Sequence, residues 1–113
     1  MESILTSIKK MMGIGEEYDY FDADIIMHIN SVFMILNQLG VGPETCFIIE
    51  DDIPTWNDFI PDHQNVELVK SYVYLRVKYL FDPPANSTIT KSMEQAIKEF
   101  EWRLNVSVDP YKN

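Results

Sequence analysis

The stretch Val66 to Pro84, VELVKSYVYLRVKYLFDPP, limits the fold of this chain more than any other. At about 100° per residue it carries two apolar faces. Val66, Val69, Val73, Val77 and Leu80 make one, and Leu68, Tyr72, Leu75 and Tyr79 make the other. A helix that is apolar on two sides is buried on two sides. The spacing therefore predicts a central helix from about Val66, capped by Asn65, to Leu80 or Phe81. It would lie inside the domain or between the domain and a partner. Asp82-Pro83-Pro84 ends it, because a residue before proline is pushed out of the α region.

The remaining segments supply elements to pack around it. A first helix is expected over Ser3 to Met12, with Ile4, Ile8 and Met11 on one face and Gly13 as its stop. A second should start after Asp22 as N-cap and run to about Leu39, closed by Gly40. Phe21 before the cap and Ile26 after it suit a hydrophobic staple. Ile25, Ile29, Val32, Phe33 and Leu36 form the core stripe of this helix. Met27 and Met34 fall on the opposite side, beside Asn30, Ser31, Asn37 and Gln38.

A long loop follows, with Gly42-Pro43, a short extended piece at Phe47-Ile48-Ile49, and the acidic run Glu50-Asp51-Asp52. Thr55 and Asp58 resemble a capping box that opens one turn, WNDF, closed by Pro61. The last long helix is expected from Ser87 to Leu104. Its core stripe would be Ile89, Met93, Ala96, Ile97, Phe100 and Leu104. Trp102 lies about 200° from Phe100, so it points away from that core, in line with Lys91, Gln95 and Lys98. The final NVSVDPYKN alternates apolar and polar residues, which suits a frayed end or a strand pairing with another chain.

The expected class is therefore all-α. It has four main helices and one short helical turn, a long acidic loop between the second and third long helices, and an extended C-terminal tail. A helical domain over 1–104 and a tail over 105–113 divide its 113 residues, enough for one modest core.

Charge excludes one class of function. The net charge is −9, and residues 11–69 hold twelve Asp or Glu and no Lys or Arg. Residues 70–113 hold seven basic and five acidic side chains. Such a chain is not built to grip a DNA phosphate backbone, which requires Lys and Arg. Cys46 is the only cysteine, which rules out an internal disulfide. No apolar run reaches the roughly 20 residues of a membrane span. The opening MESILTSIKKMMGIG has its lysines after the apolar residues, unlike a signal peptide. Without a secretory signal, the two glycosylation-like triplets at Asn86 and Asn105 read as chance.

No catalytic constellation stands out. His28 and His63 are the only histidines, and there is no C-x-x-C, H-E-x-x-H, phosphate-binding glycine loop or G-x-S-x-G. Glu50, Asp51 and Asp52 lack the spaced ligands and glycine of a calcium loop. His28, four residues after Asp24, suggests a solvent-side ion pair. No catalytic, cofactor or metal residues are assigned. The candidates are surfaces instead. Met27, Met34, Lys91, Lys98, Trp102, Val106 and Val108 are candidates for a subunit or partner interface. Glu50, Asp51 and Asp52 are candidates for a loop facing a channel or partner.

The order of segments is similar to that of the phage head–tail connector, or adaptor, proteins, also labelled DNA-packaging proteins. A short amphipathic helix is followed by DADIIMHINSVFMILNQLGVG, a loop with TWNDF, VELVKSYVYLRVKYLFDPP, and a helix closing on FEWRLNV. The resemblance spans roughly Ser3 to Val106. Its most telling parts are the helix–Asp-Pro-Pro–helix junction and Glu101-Trp102-Arg103-Leu104. It implies a helical protein of a tailed phage or prophage, made in the bacterial cytoplasm and placed in the virion neck. About twelve copies would form a ring under the portal protein and present a platform to the next neck or tail protein. DNA would pass through without specific binding. No enzymatic activity, cofactor or membrane contact is implied, and the segment Asn105 to Asn113 would grip the portal. A different reading of the same acidity is a DNA mimic or regulator that binds a nucleic-acid-processing enzyme.

Overall fold

The structure is a computed structural model and describes residues 2–60 and 66–108, with Ser107 and Val108 described by backbone alone. Ser3 opens α1 (Ile4–Met11), its hydroxyl accepting from Thr6 N at 3.0 Å. This satisfies one of the first amide groups, which have no partner within the helix. Ile4, Leu5 and Ile8 are buried, whereas Met11, expected on the core stripe, is exposed. Gly13 leaves the helix at φ +78.

α2 (Asp22–Gln38) departs from expectation at its start. Phe21, not Asp22, occupies the cap position, and no side chain caps the helix. The Asp22 carboxylate is engaged elsewhere, 2.9 Å from the ammonium of Lys9 on α1. Lys9 is almost fully buried and also donates to the Glu16 carbonyl at 3.1 Å. A buried ammonium requires such partners, and that requirement outweighs a local cap. The rest of α2 follows its apolar spacing. Ile25, Ile29, Val32, Phe33 and Leu36 are all fully buried, each contributing roughly 1.5–3 kcal/mol by leaving water.

The loop from 41 to 55 forms no strand but is anchored along its length. Val41 and Ile49 are buried. Phe33 of α2 gathers Phe47, Trp56 and Phe59 at ring separations of 5.5, 6.5 and 4.5 Å. Asn30 clamps the loop backbone in both directions: its amide donates to Ile49 O, and its carbonyl accepts from Ile49 N, each at 2.9 Å. The expected box is present at α3 (Trp56–Phe59), where Thr55 N donates to the Asp58 carboxylate at 2.8 Å. The same segment closes onto α1. Ile4 N donates to Pro54 O, and Trp56 Nε1 donates to Ser7 Oγ at 2.7 Å. Pro61, His63 and the expected cap Asn65 lie outside the described residues.

α4 (Val66–Phe81) is the central helix, packed on α1, α2 and α5. It contacts α2 and α5 more extensively than those two contact each other. Val69, Tyr72, Val73 and Val77 are buried, but Leu80 is exposed. Toward α5 it shares the apolar core with Ile97 and Leu104 and adds polar contacts. Tyr72 donates to the Glu101 carboxylate at 2.7 Å, Arg76 pairs with the same oxygen, and Arg76 Nε donates to Tyr72 Oη at 3.0 Å.

α5 (Ser87–Val108) begins with the Asn86 side chain accepting from Thr88 N and Ile89 N. It does not stop at Leu104. The alternating Asn105–Val108 segment, expected to be extended, completes the helix. An extended segment needs a strand edge for its backbone groups, and none exists among the described residues; the helix satisfies them locally. Of the expected core stripe, Ile97 and Leu104 are buried and Met93, Ala96 and Phe100 half-buried. Ile89 is exposed, so the first turn of α5 overhangs the core. The molecule measures 44 × 36 × 20 Å. Its short dimension is about two helix diameters, which leaves each helix with an outer face.

Candidate assembly surfaces

Tyr20 and Ile53 are the most exposed large apolar side chains among the described residues, and four others cluster on two outer faces. Trp102 is 67% exposed, Ile48 60%, Met34 57% and Met27 56%. The α2 stripe is fully engaged with α4 and α1, so Met27 and Met34 look outward by helical geometry. The anchored loop runs beside them. Together they make an open groove of about 710 Å³ lined by Ala23, Met27, Met34, Ile48, Ile49 and Glu50, with Asn30 at its base.

The groove is mostly apolar, Glu50 is the acidic residue in its lining, and other carboxylates neighbour the lining residues in sequence. Asp24 is exposed in the first turn of α2, and Glu50, Asp51 and Asp52 are all exposed. Asp51 accepts from Ile53 N at 3.0 Å, which closes a local turn. The acidic run is therefore part of a pinned loop with a projecting tip. His28 is not in an ion pair with Asp24 among the described residues. Its half-buried ring instead meets Phe81 edge-on at 6.4 Å, because α4 ends beside it.

The second surface is the outer stripe of α5. Lys91, Gln95, Lys98, Trp102 and Val106 succeed each other at helical spacing, and all are exposed. Arg103 pairs with Glu99 at 2.7 Å and Lys70 with Glu67 at 3.5 Å, both within their own helices. Lys91 and Lys98 form no ion pair among the described residues, although Lys98 shares a cleft with Glu94 and Glu101 and helps to lower the Glu101 pKa. Val106 lies on the helix, the Val108 side chain is outside the described set, and so are residues 109–113.

Between α4 and α5 the Tyr72–Arg76–Glu101 cluster is structural in character. Partial burial pushes the Glu101 carboxyl up, but its hydrogen bonds to Arg76 and Tyr72 outweigh this and hold its pKa below the usual carboxylate value. The Tyr72 hydroxyl is pushed up by burial and by that carboxylate. Both shifts favour the pairing seen: a charged acceptor and a protonated donor.

Sequence reasoning missed three contributors. Ile48 was legible only as a loop residue, and its place beside the methionines depends on how the loop folds back. Asn30 sat on the correct face, but its carboxamide clamp has no local signature. Lys9 gave no sign of burial. Among the described residues, no group of three or more His, Cys, Asp or Glu is placed to hold a metal ion, and no helix is long and apolar enough to cross a membrane.

A small helical slab with apolar outer faces and polar clusters that serve packing has the character of a structural subunit. The family described as "Phage connector protein" matches residues 4–111, nearly the whole chain, and the chain belongs to that family. The family is one of structural phage proteins. No curated protein matches the chain, and no solved structure does.

Proposed function

We propose that the chain is a head–tail connector subunit that forms a ring of about twelve copies beneath the portal. The ring would extend the DNA channel and carry the next neck or tail protein. The observation behind this reading is the pair of outward apolar faces, Met27/Met34/Ile48 on one side and Trp102/Val106 on another, in a member of the connector family. A closed ring uses head-to-tail contacts, which need two different surfaces per subunit. Acidity suits the channel, since at −9 per copy twelve subunits carry roughly a hundred negative charges and repel a polyanion. DNA passes without being held, and the role requires neither catalysis nor a cofactor. The exposed tip at Glu50–Asp52 would face the channel or a partner, and the segment Asn105 to Asn113 would engage the portal.

The test is to mix the purified chain with purified portal ring from the neighbouring genes and image the product. Annular density on one face of the portal is the expected result. Absence of a complex at micromolar concentrations would sink the reading.

A further inference from the structure

Resting on that ring reading, we infer that the α2 groove receives α5 of a second copy of this chain: Trp102 and Val106 enter between Met27, Met34 and Ile48. Lys91 and Lys98 of the same α5 lie against Glu50 of the groove lining and the exposed Asp24 that follows Ala23 on α2. The dimensions agree. Seven residues separate Met27 and Met34, about 10 Å along α2, and four separate Trp102 and Val106, about 6 Å along α5. Methionine thioethers adapt to an aromatic ring and attract it. The base of the groove is satisfied before the indole arrives, because both ends of the Asn30 carboxamide are bonded to Ile49. An apolar guest therefore strips no partner from a polar group.

Charge selects the same partner. Asp24 and Glu50 belong to residues 11–69, which have no Lys or Arg. Lys98 stands one turn before Trp102 and Lys91 about three turns before it; both are exposed and without an ion pair among the described residues. The contact is between copies rather than within one. α4 contacts α2 and α5 more than they contact each other, so their outer faces look in different directions. Each copy then offers one groove and one anchor, and the contact repeats head-to-tail.

The experiment uses full-length chain carrying Cys46→Ser, so that introduced cysteines are the only thiols. Ser31→Cys, in the groove lining, and Gln95→Cys, on the outer stripe of α5, leave Trp102, Met27 and Met34 in place; the two versions are assembled on purified portal ring, separately and mixed, and treated with a short bis-maleimide. The expected product is a cross-linked pair with one chain of each kind, found only in the mixture. Pairs of like chains alone, or an assembled ring with no mixed pair, would overturn the inference while leaving the ring reading standing. Failure to assemble on the portal at all would overturn both. Separately, Trp102→Ala should weaken association between copies at least about tenfold. Its far-UV circular dichroism should stay unchanged, because Trp102 is exposed. Unchanged association would also overturn the inference.

Discussion

At the scale of single residues, the molecule depends on a few positions where backbone and side chain leave no alternative. Gly42 has φ +92, and a Cβ there would lie 2.6 Å from Cε1 of Phe59. Gly13 has a similar φ of +78 but open space around it. An alanine at either site would carry left-handed strain of about 1–2 kcal/mol. Only at Gly42 would it also displace Phe59, which stacks on Phe33 and helps to hold the loop. Gly42→Ala is therefore expected to lose about 1–3 kcal/mol more than Gly13→Ala in urea unfolding, the usual cost of overpacking. Equal losses would show that the Phe59 ring yields freely. Lys9 teaches a related lesson. Its place in the sequence resembles a solvated lysine, and the partners that justify its burial, Asp22 and the Glu16 carbonyl, come from beyond its own helix.

At the scale of elements, α5 is the helix held most lightly. Among its described side chains only Ile97 and Leu104 are buried, and its union with α4 is reinforced by the Glu101 pairings and by Tyr79 donating to Glu94. Because the Glu101 pKa is lowered on folding, its contribution is present above the unfolded carboxylate value of about 4.3. It is lost as pH falls through the lower folded value. Glu101→Gln should cost on the order of 1 kcal/mol near pH 7, the range for a partly exposed charged hydrogen bond. Wild type and variant should converge in thermal stability as pH drops below about 4. A pH-independent gap would assign the effect to packing. The helices themselves were readable. Apolar spacing placed α1, α2 and α4 within a residue or two of their ends, and Thr55 with Asp58 marked α3. The capping at the start of α2 and the last turn of α5 were not readable. Asp22 was claimed by a distant lysine, and Asn105–Val108 could be extended only with a strand to pair with.

At the scale of the whole molecule, the thinness of the slab decides how much apolar surface stays uncovered. In the proposed ring, association would have to overcome repulsion between copies of charge −9. The lysines of one copy against Asp24 and Glu50 of the next would offset part of this locally. Raising salt from about 0.05 to about 0.5 M should screen that pairing and weaken ring formation severalfold. Light scattering across that range would follow it, and assembly insensitive to salt would argue for a purely apolar contact. Lys91 and Lys98 suit this role better than Lys70 and Arg103, which pair within their own helices.

The sequence alone determined that the chain is helical, that one helix is central, and that Met27, Met34 and Trp102 face away from the core. Each of these is a matter of angular period along a helix, which a linear string records. The tertiary structure decided that the loop returns over α2 to bring Ile48 beside the methionines. It also decided that Asn30 spends its carboxamide on that loop and that, among the described residues, Lys91 and Lys98 form no ion pair while Arg103 does. Those outcomes depend on side chains far apart in sequence competing for the same partners, and periodicity holds no record of that competition.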